Sequence, residues 1–272
     1  MARPGVGTAR RGRAGTVPRS PASPGQPASR AGRAGRYHRA RRPVINTLCP
    51  SALPRPRQSD AEASGESSLV YADDALVVVD KPAGLLSVPG RGETGREHLV
   101  APVQRRFADA LVVHRLDQAT SGLVVFARGT AMQRALSKAF AARLVTKRYE
   151  ALVQGIVEAD EGAIDLPLAA DWPHRPRQRV DPLRGKPSLT RWRVLGRDAA
   201  LARTRLQLEP VTGRSHQLRV HLLAIGHPIV GDALYAPEWP APRLMLHACV
   251  LALPHPANGS TLTVHSAVPF EL

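Results

Sequence analysis

The residue best placed to react is an aspartate with a cation on one side and two hydroxyls on the other. It lies in His114-Arg115-Leu116-Asp117-Gln118-Ala119-Thr120-Ser121-Gly122-Leu123, between the apolar β-prone runs Leu111 to Val113 and Leu123 to Ala127. A loop rising from a sheet is a common seat of function. Arg115 close by favours the ionised carboxylate, the form a nucleophile needs. An Asp ahead of Thr-Ser-Gly is also an ordinary turn former, so spacing alone leaves both readings open.

Three further segments carry cations next to aromatic or helix-start residues. In Gly213-Arg214-Ser215-His216-Gln217-Leu218-Arg219-Val220-His221, polar groups crowd the start of a helix, where anions are favoured. Arg214 or Arg219 is available there for a phosphate or for Asp117; the plain alternative is a helix cap with solvated charges. In Lys147-Arg148-Tyr149-Glu150-Ala151-Leu152, a strand tyrosine between cations suits base stacking beside phosphates, or simply core packing. Asp171-Trp172-Pro173-His174-Arg175-Pro176-Arg177-Gln178-Arg179 is a proline-stiffened basic loop with one Trp, suited to structured RNA or to plain solvent exposure. The candidate RNA contacts are therefore His114, Arg115, Lys147, Arg148, Trp172, Arg175, Arg177, Arg179, Arg214 and His216. His216, His221 and His227 do not have zinc-ligand spacing. No dinucleotide fingerprint, P-loop, nucleophile elbow or HExxH is present, which argues against nucleotide cofactors and common hydrolases.

The elements that must hold these residues can be read from periodicity. Val70-Tyr71 and Leu76 to Val79 are short β runs before the turn Lys81-Pro82-Ala83-Gly84. A helix is expected over 93–108. Thr130 with Gln133 reads as a capping box, followed by Met132, Leu136, Ala139, Phe140 and Leu144 at helical spacing. Strands are expected at Tyr149 to Val153, Thr190 to Leu195 and Leu244 to Leu253. From Ala202 to Leu208, apolar residues and Thr204 alternate with Arg203, Arg205 and Gln207, giving one basic face. Ser215 to Ile225 reads as a helix with Gly226 as its C-cap glycine. Strands outnumber helices without βαβ alternation, so the expected class is α+β with a mixed or antiparallel sheet.

The chain of 272 residues has a formal net charge of +16, and that charge is uneven. Residues 1–59 hold 13 Arg and no acidic residue, which leaves 25 basic and 22 acidic residues, a net of +3, for 60–272. Any RNA site on the folded part must come from local clustering. Residues 1–65 contain few large apolar groups and are expected to be disordered. An RNA-binding arm, a transit peptide and an upstream stretch of no function are the alternatives for them. Cys49 and Cys249 make neither a disulfide framework nor a metal pattern. No apolar run is long enough to span a bilayer.

Taken together and in this order, these segments resemble the RluA family of pseudouridine synthases. The stretch from Asp73-Asp74 through Asp80-Lys81-Pro82-Ala83-Gly84-Leu85-Leu86-Ser87-Val88-Pro89-Gly90 is similar to the family's opening motif, and His114 to Leu123 to its HRLDxxTSGL signature. Lys147 to Gly155 looks like its Tyr-bearing strand, Gly213 to Asp232 its third block, and Arg243 to Ala248 its last. The loop Asp171 to Val180 is similar to one in the dual-specificity subgroup, whose members modify a tRNA anticodon stem-loop and a large-subunit rRNA stem-loop and lack an S4 domain. The resemblance covers roughly residues 69–270.

It implies the α+β pseudouridine synthase fold, two abutting mixed or antiparallel sheets around a central RNA-binding cleft, over residues 66–272. It also implies uridine isomerisation with no cofactor and no metal. Asp117 is then the catalytic carboxylate, Arg219 pairs with it, Tyr149 packs against the target base, and Arg115 fills the space that base leaves. The expected partner is RNA (tRNA, large-subunit rRNA or both) and no membrane. The protein is expected to be monomeric and cytoplasmic, with organellar targeting by the tail left open. The rival classes are a non-catalytic RNA-binding protein and an aspartate-dependent hydrolase, the latter lacking a second matched carboxylate.

Overall fold

The computed structural model describes residues 67–90 and 97–272. The tail expected over 1–65 and the first residues of the helix expected over 93–108 lie outside the described residues.

The chain opens with the hairpin β1 (Ser68–Ala72) and β2 (Leu76–Lys81). Asp73 closes the hairpin turn by accepting the backbone N–H groups of Ala75 and Leu76 at 2.8 and 2.9 Å. There follow α1 (Val100–Arg106), β3 (Ala110–Val112), β4 (Ser121–Arg128), α2 (Gly129–Ala141), β5 (Thr146–Gln154), β6 (Glu161–Asp165) and β7 (Leu168–Ala170). A 3-10 turn (Trp172–His174), β8 (Gln178–Val180), β9 (Leu189–Asp198), β10 (Arg203–Pro210), α3 (Gln217–Ala224), β11 (Leu246–Pro254) and β12 (Thr261–His265) complete it.

The strands run in the order β1-β2-β4-β11-β5-β10-β9-β6, with β12 on β11 and β3 on β4; β7 and β8 pair separately. The class is α+β, as expected. The expected two abutting sheets are joined into one ten-stranded sheet, because β4 and β11 pair in parallel at Ser121–His247 and Gly122–Ala248. Gly122 is required at that joint. Its φ is +112°, and a Cβ there would meet the Ala248 carbonyl oxygen at 2.4 Å. The glycine of the aspartate loop therefore serves the seam between the two halves of the sheet.

β4 is buried on both faces along nearly its whole length. Leu123 and Val125 pack with Leu136 of α2, while Val124 and Phe126 pack with Leu99, just before α1, and Val103 within it. This is why it reads as an unbroken apolar run instead of an alternating one. β10 shows the expected period of two: Thr204, Leu206, Leu208 and Pro210 are buried and their neighbours are not. Its inward face packs on Leu218 and Leu222 of α3.

Several local expectations are corrected. The Thr130–Gln133 capping box does not form. The helix starts at Gly129 with no side-chain cap, and Gln133 instead donates to the Val112 carbonyl at 2.9 Å, tying α2 to β3. Leu144 lies beyond the helix end and is 64% exposed. β12 was not anticipated, since Val264 alone is buried in it. The stop signal after α3 holds. Gly226 has φ +83°, and its N–H and that of His227 reach the carbonyls of Leu223 and Leu222 at 3.0 Å each, a Schellman closure.

Candidate active site

Asp117 stands at the end of a loop that the segment Lys81–Ser87 clamps on both sides. Ser87 Oγ donates to the Leu116 carbonyl at 2.7 Å and receives the Leu116 N–H at 3.1 Å. On the other side, the Gly84 N–H donates to the Gln118 carbonyl at 2.9 Å, and Gln118 Nε2 returns a bond to the Gly84 carbonyl at 3.0 Å. Between them, fully buried Lys81 reaches the carbonyls of Pro82, Leu85 and Gln118 at 2.8, 2.8 and 3.1 Å. Three acceptors match the three protons of an ammonium. Burial pulls the Lys81 pKa down to about 7, against the attraction of Asp117. The two sequence motifs are thus one structural unit: the first pins the backbone on either side of the carboxylate carried by the second.

The carboxylate itself is left open, with 25% of its side chain exposed. It borders a cavity of about 320 Å³. The same cavity is lined by Arg115, Lys147, Tyr149, Arg214, His216 and Arg219, and by His114 and Phe140. Lys147 and Tyr149 share one face of β5 and so point the same way. Burial, with the charge of Asp117 adding to it, pushes the Tyr149 phenol well above its ordinary value, so the hydroxyl keeps its proton. Burial lowers the Lys147 pKa.

The expected pairing of Arg219 with Asp117 is corrected. Arg219 binds Asp232 through two bonds, Nε to Oδ2 at 2.7 Å and Nη2 to Oδ1 at 2.6 Å. Both side chains are nearly sealed from solvent, 6% and 1% exposed. Burial opposes the guanidinium charge, but the bonds to Asp232, its charge, and the charge of Asp117 hold it protonated. Arg219 therefore acts on Asp117 through space while a second carboxylate fixes its position. Asp232 also accepts the Leu234 and Tyr235 N–H groups at 3.1 and 3.0 Å.

Other expected RNA contacts are redistributed. His114 lines the cavity, but its Nε2 accepts the Val125 N–H at 3.0 Å and its ring stacks on Phe140 at 4.9 Å. Burial and Lys147 lower its pKa to about 4, so it is a neutral structural acceptor and not a phosphate-binding cation. Arg148 lies one residue from Tyr149 on β5 and so projects from the opposite face, away from the cavity. Trp172, Arg175, Arg177 and Arg179 do not line the cavity. Arg175 stacks its guanidinium 3.4 Å over the ring of Trp172, itself 67% exposed, while Arg179 pairs with Asp181 at 3.1 Å. Arg177 turns inward, donating to the Leu234 carbonyl.

Sequence reading missed Lys81, Ser87, Asp232 and Tyr235 as site residues. Lys81 and Ser87 stand in the sequence only as members of the opening motif, Lys81 also as the start of a turn, and Asp232 only as the end of a block. Among the described residues, no cluster of three or more His, Cys, Asp or Glu side chains is arranged to hold a metal ion, and no helix is long and apolar enough to cross a membrane.

The chain is similar to known proteins over most of its length. The signature described as RNA pseudouridylate synthase spans residues 75–224. The dual-specificity RNA pseudouridine synthase RluA of Escherichia coli (strain K12) is 48% identical over 205 residues, covering 74% of this chain and 93% of that protein. The protein of the same name from Haemophilus influenzae is 45% identical over the same shares. Among solved structures, human RNA Pseudouridylate Synthase Domain Containing 1 aligns with a TM-score of 0.64 at 31% identity, covering 76% of this chain and 85% of that one. Human RNA Pseudouridylate Synthase Domain Containing 4 aligns at 0.60 and 24% identity, a likeness of fold.

Proposed function

The chain belongs to the RNA pseudouridylate synthase family and is an RNA pseudouridine synthase, and from that premise we propose that Asp117 is its catalytic carboxylate and that it acts on both a tRNA anticodon stem-loop and a large-subunit rRNA stem-loop. The reaction breaks the N1–C1′ bond of a uridine, turns the base and joins C5 to C1′; C5 loses its proton to water and N1, freed from the ribose, takes one up. It is an isomerisation, balanced without an electron carrier or an energy source.

The observation that carries the assignment is Asp117 itself, a solvent-reachable carboxylate on a backbone held rigid from both flanks, at the wall of a one-nucleotide cavity. About 320 Å³ lies at the low end for ligand pockets, which suits one extruded nucleotide. Extrusion costs roughly a few kcal/mol. Tyr149 supports the extruded base by stacking, and Arg115 occupies the space it leaves. Lys147 and Arg214 at the rim suit phosphates. Asp117 then attacks the ribose or promotes loss of a ribose proton. The Trp172–Arg175 stack suits an RNA loop outside the cavity. Residues 66–272 form the catalytic unit, working as a monomer in the cytoplasm.

The test uses transcripts of the two stem-loops carrying uridine tritiated at C5. Release of tritium into water, with pseudouridine mapped at one position in each stem-loop, is the expected result. RNA binding without release would establish a non-catalytic binding protein, and free uracil a hydrolase. Modification of neither stem-loop would overturn the substrate assignment.

The ring and hydroxyl of Tyr149 are separable. Tyr149→Leu removes stacking worth about 1–3 kcal/mol and should lower kcat/KM by about 5- to 150-fold. Tyr149→Phe keeps the ring and should retain clearly more activity than Tyr149→Leu in the same single-turnover assay. Equal losses in the two variants would transfer the role to the hydroxyl.

A further inference from the structure

The aspartate has a neighbour whose orientation is fixed from outside the cavity. His216 Nε2 lies 4.0 Å from Asp117 Oδ1. Its other ring nitrogen, Nδ1, is 2.7 Å from the hydroxyl of Tyr235. That hydroxyl already receives the backbone N–H of Gln178 at 2.7 Å. A backbone amide can only donate, so the Tyr235 oxygen accepts there and its own proton is free for Nδ1. An Nδ1 that accepts leaves the ring proton on Nε2, the nitrogen that faces Asp117.

The rest of the surroundings holds this arrangement in place. His216 takes up a left-handed backbone, φ +54° and ψ +17°, at the residue before α3. For a residue with a Cβ that conformation is strained and needs support. Gln217 supplies it. Its Oε1 accepts the Thr212 hydroxyl at 2.7 Å and the Arg214 N–H at 3.1 Å, while its Nε2 donates to Leu189 and Thr190, both at 3.0 Å. Tyr235 is held by the bond from its N–H to Asp232, and its ring lies 4.9 Å from the Arg219 guanidinium carbon. Burial lowers the imidazole pKa and outweighs the pull of Asp117 and Asp232; Arg219 and Arg115 act in the same direction as burial. His216 therefore stays neutral and presents one N–H.

Resting on the reading of Asp117 as the reacting carboxylate, we propose that His216 and Tyr235 are positioning residues for it: Tyr235, anchored to the backbone of the 171–181 loop, sets the tautomer and aim of His216, which in turn orients Asp117. At 4.0 Å the Nε2–H is about 1 Å beyond ordinary hydrogen-bond reach. It thus restrains the carboxylate without masking the oxygen that must meet the ribose. The same chain ties the aim of Asp117 to the seating of the Trp172–Arg175 loop, because Gln178 follows directly on Arg177, which is itself fastened to the Leu234 carbonyl.

Tyr235→Phe tests this in the full-length protein. It keeps the ring against Arg219 and removes both hydroxyl bonds. In the wild type, ¹⁵N-resolved imidazole spectra should show His216 as the Nε2–H tautomer; in Tyr235→Phe the Nδ1–H form should appear. Turnover of a stem-loop substrate should fall about tenfold in kcat with KM changed less than twofold. As an independent variant, His216→Gln, whose amide can offer an N–H, should keep at least fivefold more turnover than His216→Ala. Inactive Asp117→Asn together with a Tyr235→Phe enzyme of wild-type kcat and unchanged tautomer would overturn the positioning role alone. An active Asp117→Asn would instead overturn the reading of Asp117 beneath it.

Discussion

Asp117→Asn is expected to lower single-turnover pseudouridine formation by at least about 10⁴-fold, the scale of loss when a group that bonds to or deprotonates the substrate is removed. RNA affinity should stay within a few-fold of wild type. The two parts of the prediction follow from different features. An amide is isosteric with the carboxylate but carries no charge and no usable lone pair for the ribose, so chemistry stops. On the proposed reading, affinity rests on cations and stacking groups spread over the cavity and the 171–180 loop, which the substitution leaves alone. The fold should also be unaffected, because the clamp on the loop is made from the backbone of Leu116 and Gln118 and does not use the Asp117 side chain. Rapid-quench turnover alongside filter binding measures both quantities. Retention of more than about 1% of wild-type turnover would remove Asp117 from the chemistry.

The second large effect should come from Asp232→Asn, a residue with no part in the reaction itself. Arg219 and Asp232 are a buried bidentate pair, and Asp232 Oδ1 also accepts two backbone N–H groups. Breaking such a pair leaves an uncompensated buried guanidinium, at a cost of about 3–5 kcal/mol. For a domain of this size that corresponds to a drop in Tm of roughly 10 °C. Turnover should fall as well, since Arg219 would lose the anchor that keeps its charge near Asp117. A double variant separates the two consequences. Arg219→Met combined with Asp232→Leu removes both charges, so part of the stability should return, the remaining loss reflecting the Leu234 and Tyr235 N–H groups left without their acceptor, while turnover should remain low. A fall of less than about 1 kcal/mol in Asp232→Asn would remove the stabilising role of the pair, and full activity in the double variant would remove its role in turnover.

The amino-acid sequence by itself determined the class of fold and the main cavity segments. That was possible because these features are local. The period of two, read over Ala202 to Leu208 and found in Thr204, Leu206 and Leu208 though Ala202 is exposed, the all-apolar run of β4, and the Gly226 stop after α3 each reflect geometry within a few residues. Asp117, Tyr149 and Arg219 were legible because each sits in a short motif whose neighbours also face the same cavity. Even here locality had limits. Arg148 was grouped with Lys147, although adjacent strand residues point to opposite faces.

Tertiary structure alone decided which charges meet. Arg219 was expected beside Asp117, yet it closes on Asp232, thirteen residues further along, because a bidentate partner in a buried site outweighs a more distant open carboxylate. Ser87 and Leu116 lie twenty-nine residues apart and join only when β2 and β4 pair. Tyr235 reaches Gln178 across fifty-seven residues. His114 looked like a cation for phosphate until burial and the Val125 N–H made it a neutral acceptor. Sequence specifies residue types and local periodicity. Burial and long-range pairing then set protonation and hydrogen-bond partners, and those depend on what the folded chain places within about 3 Å.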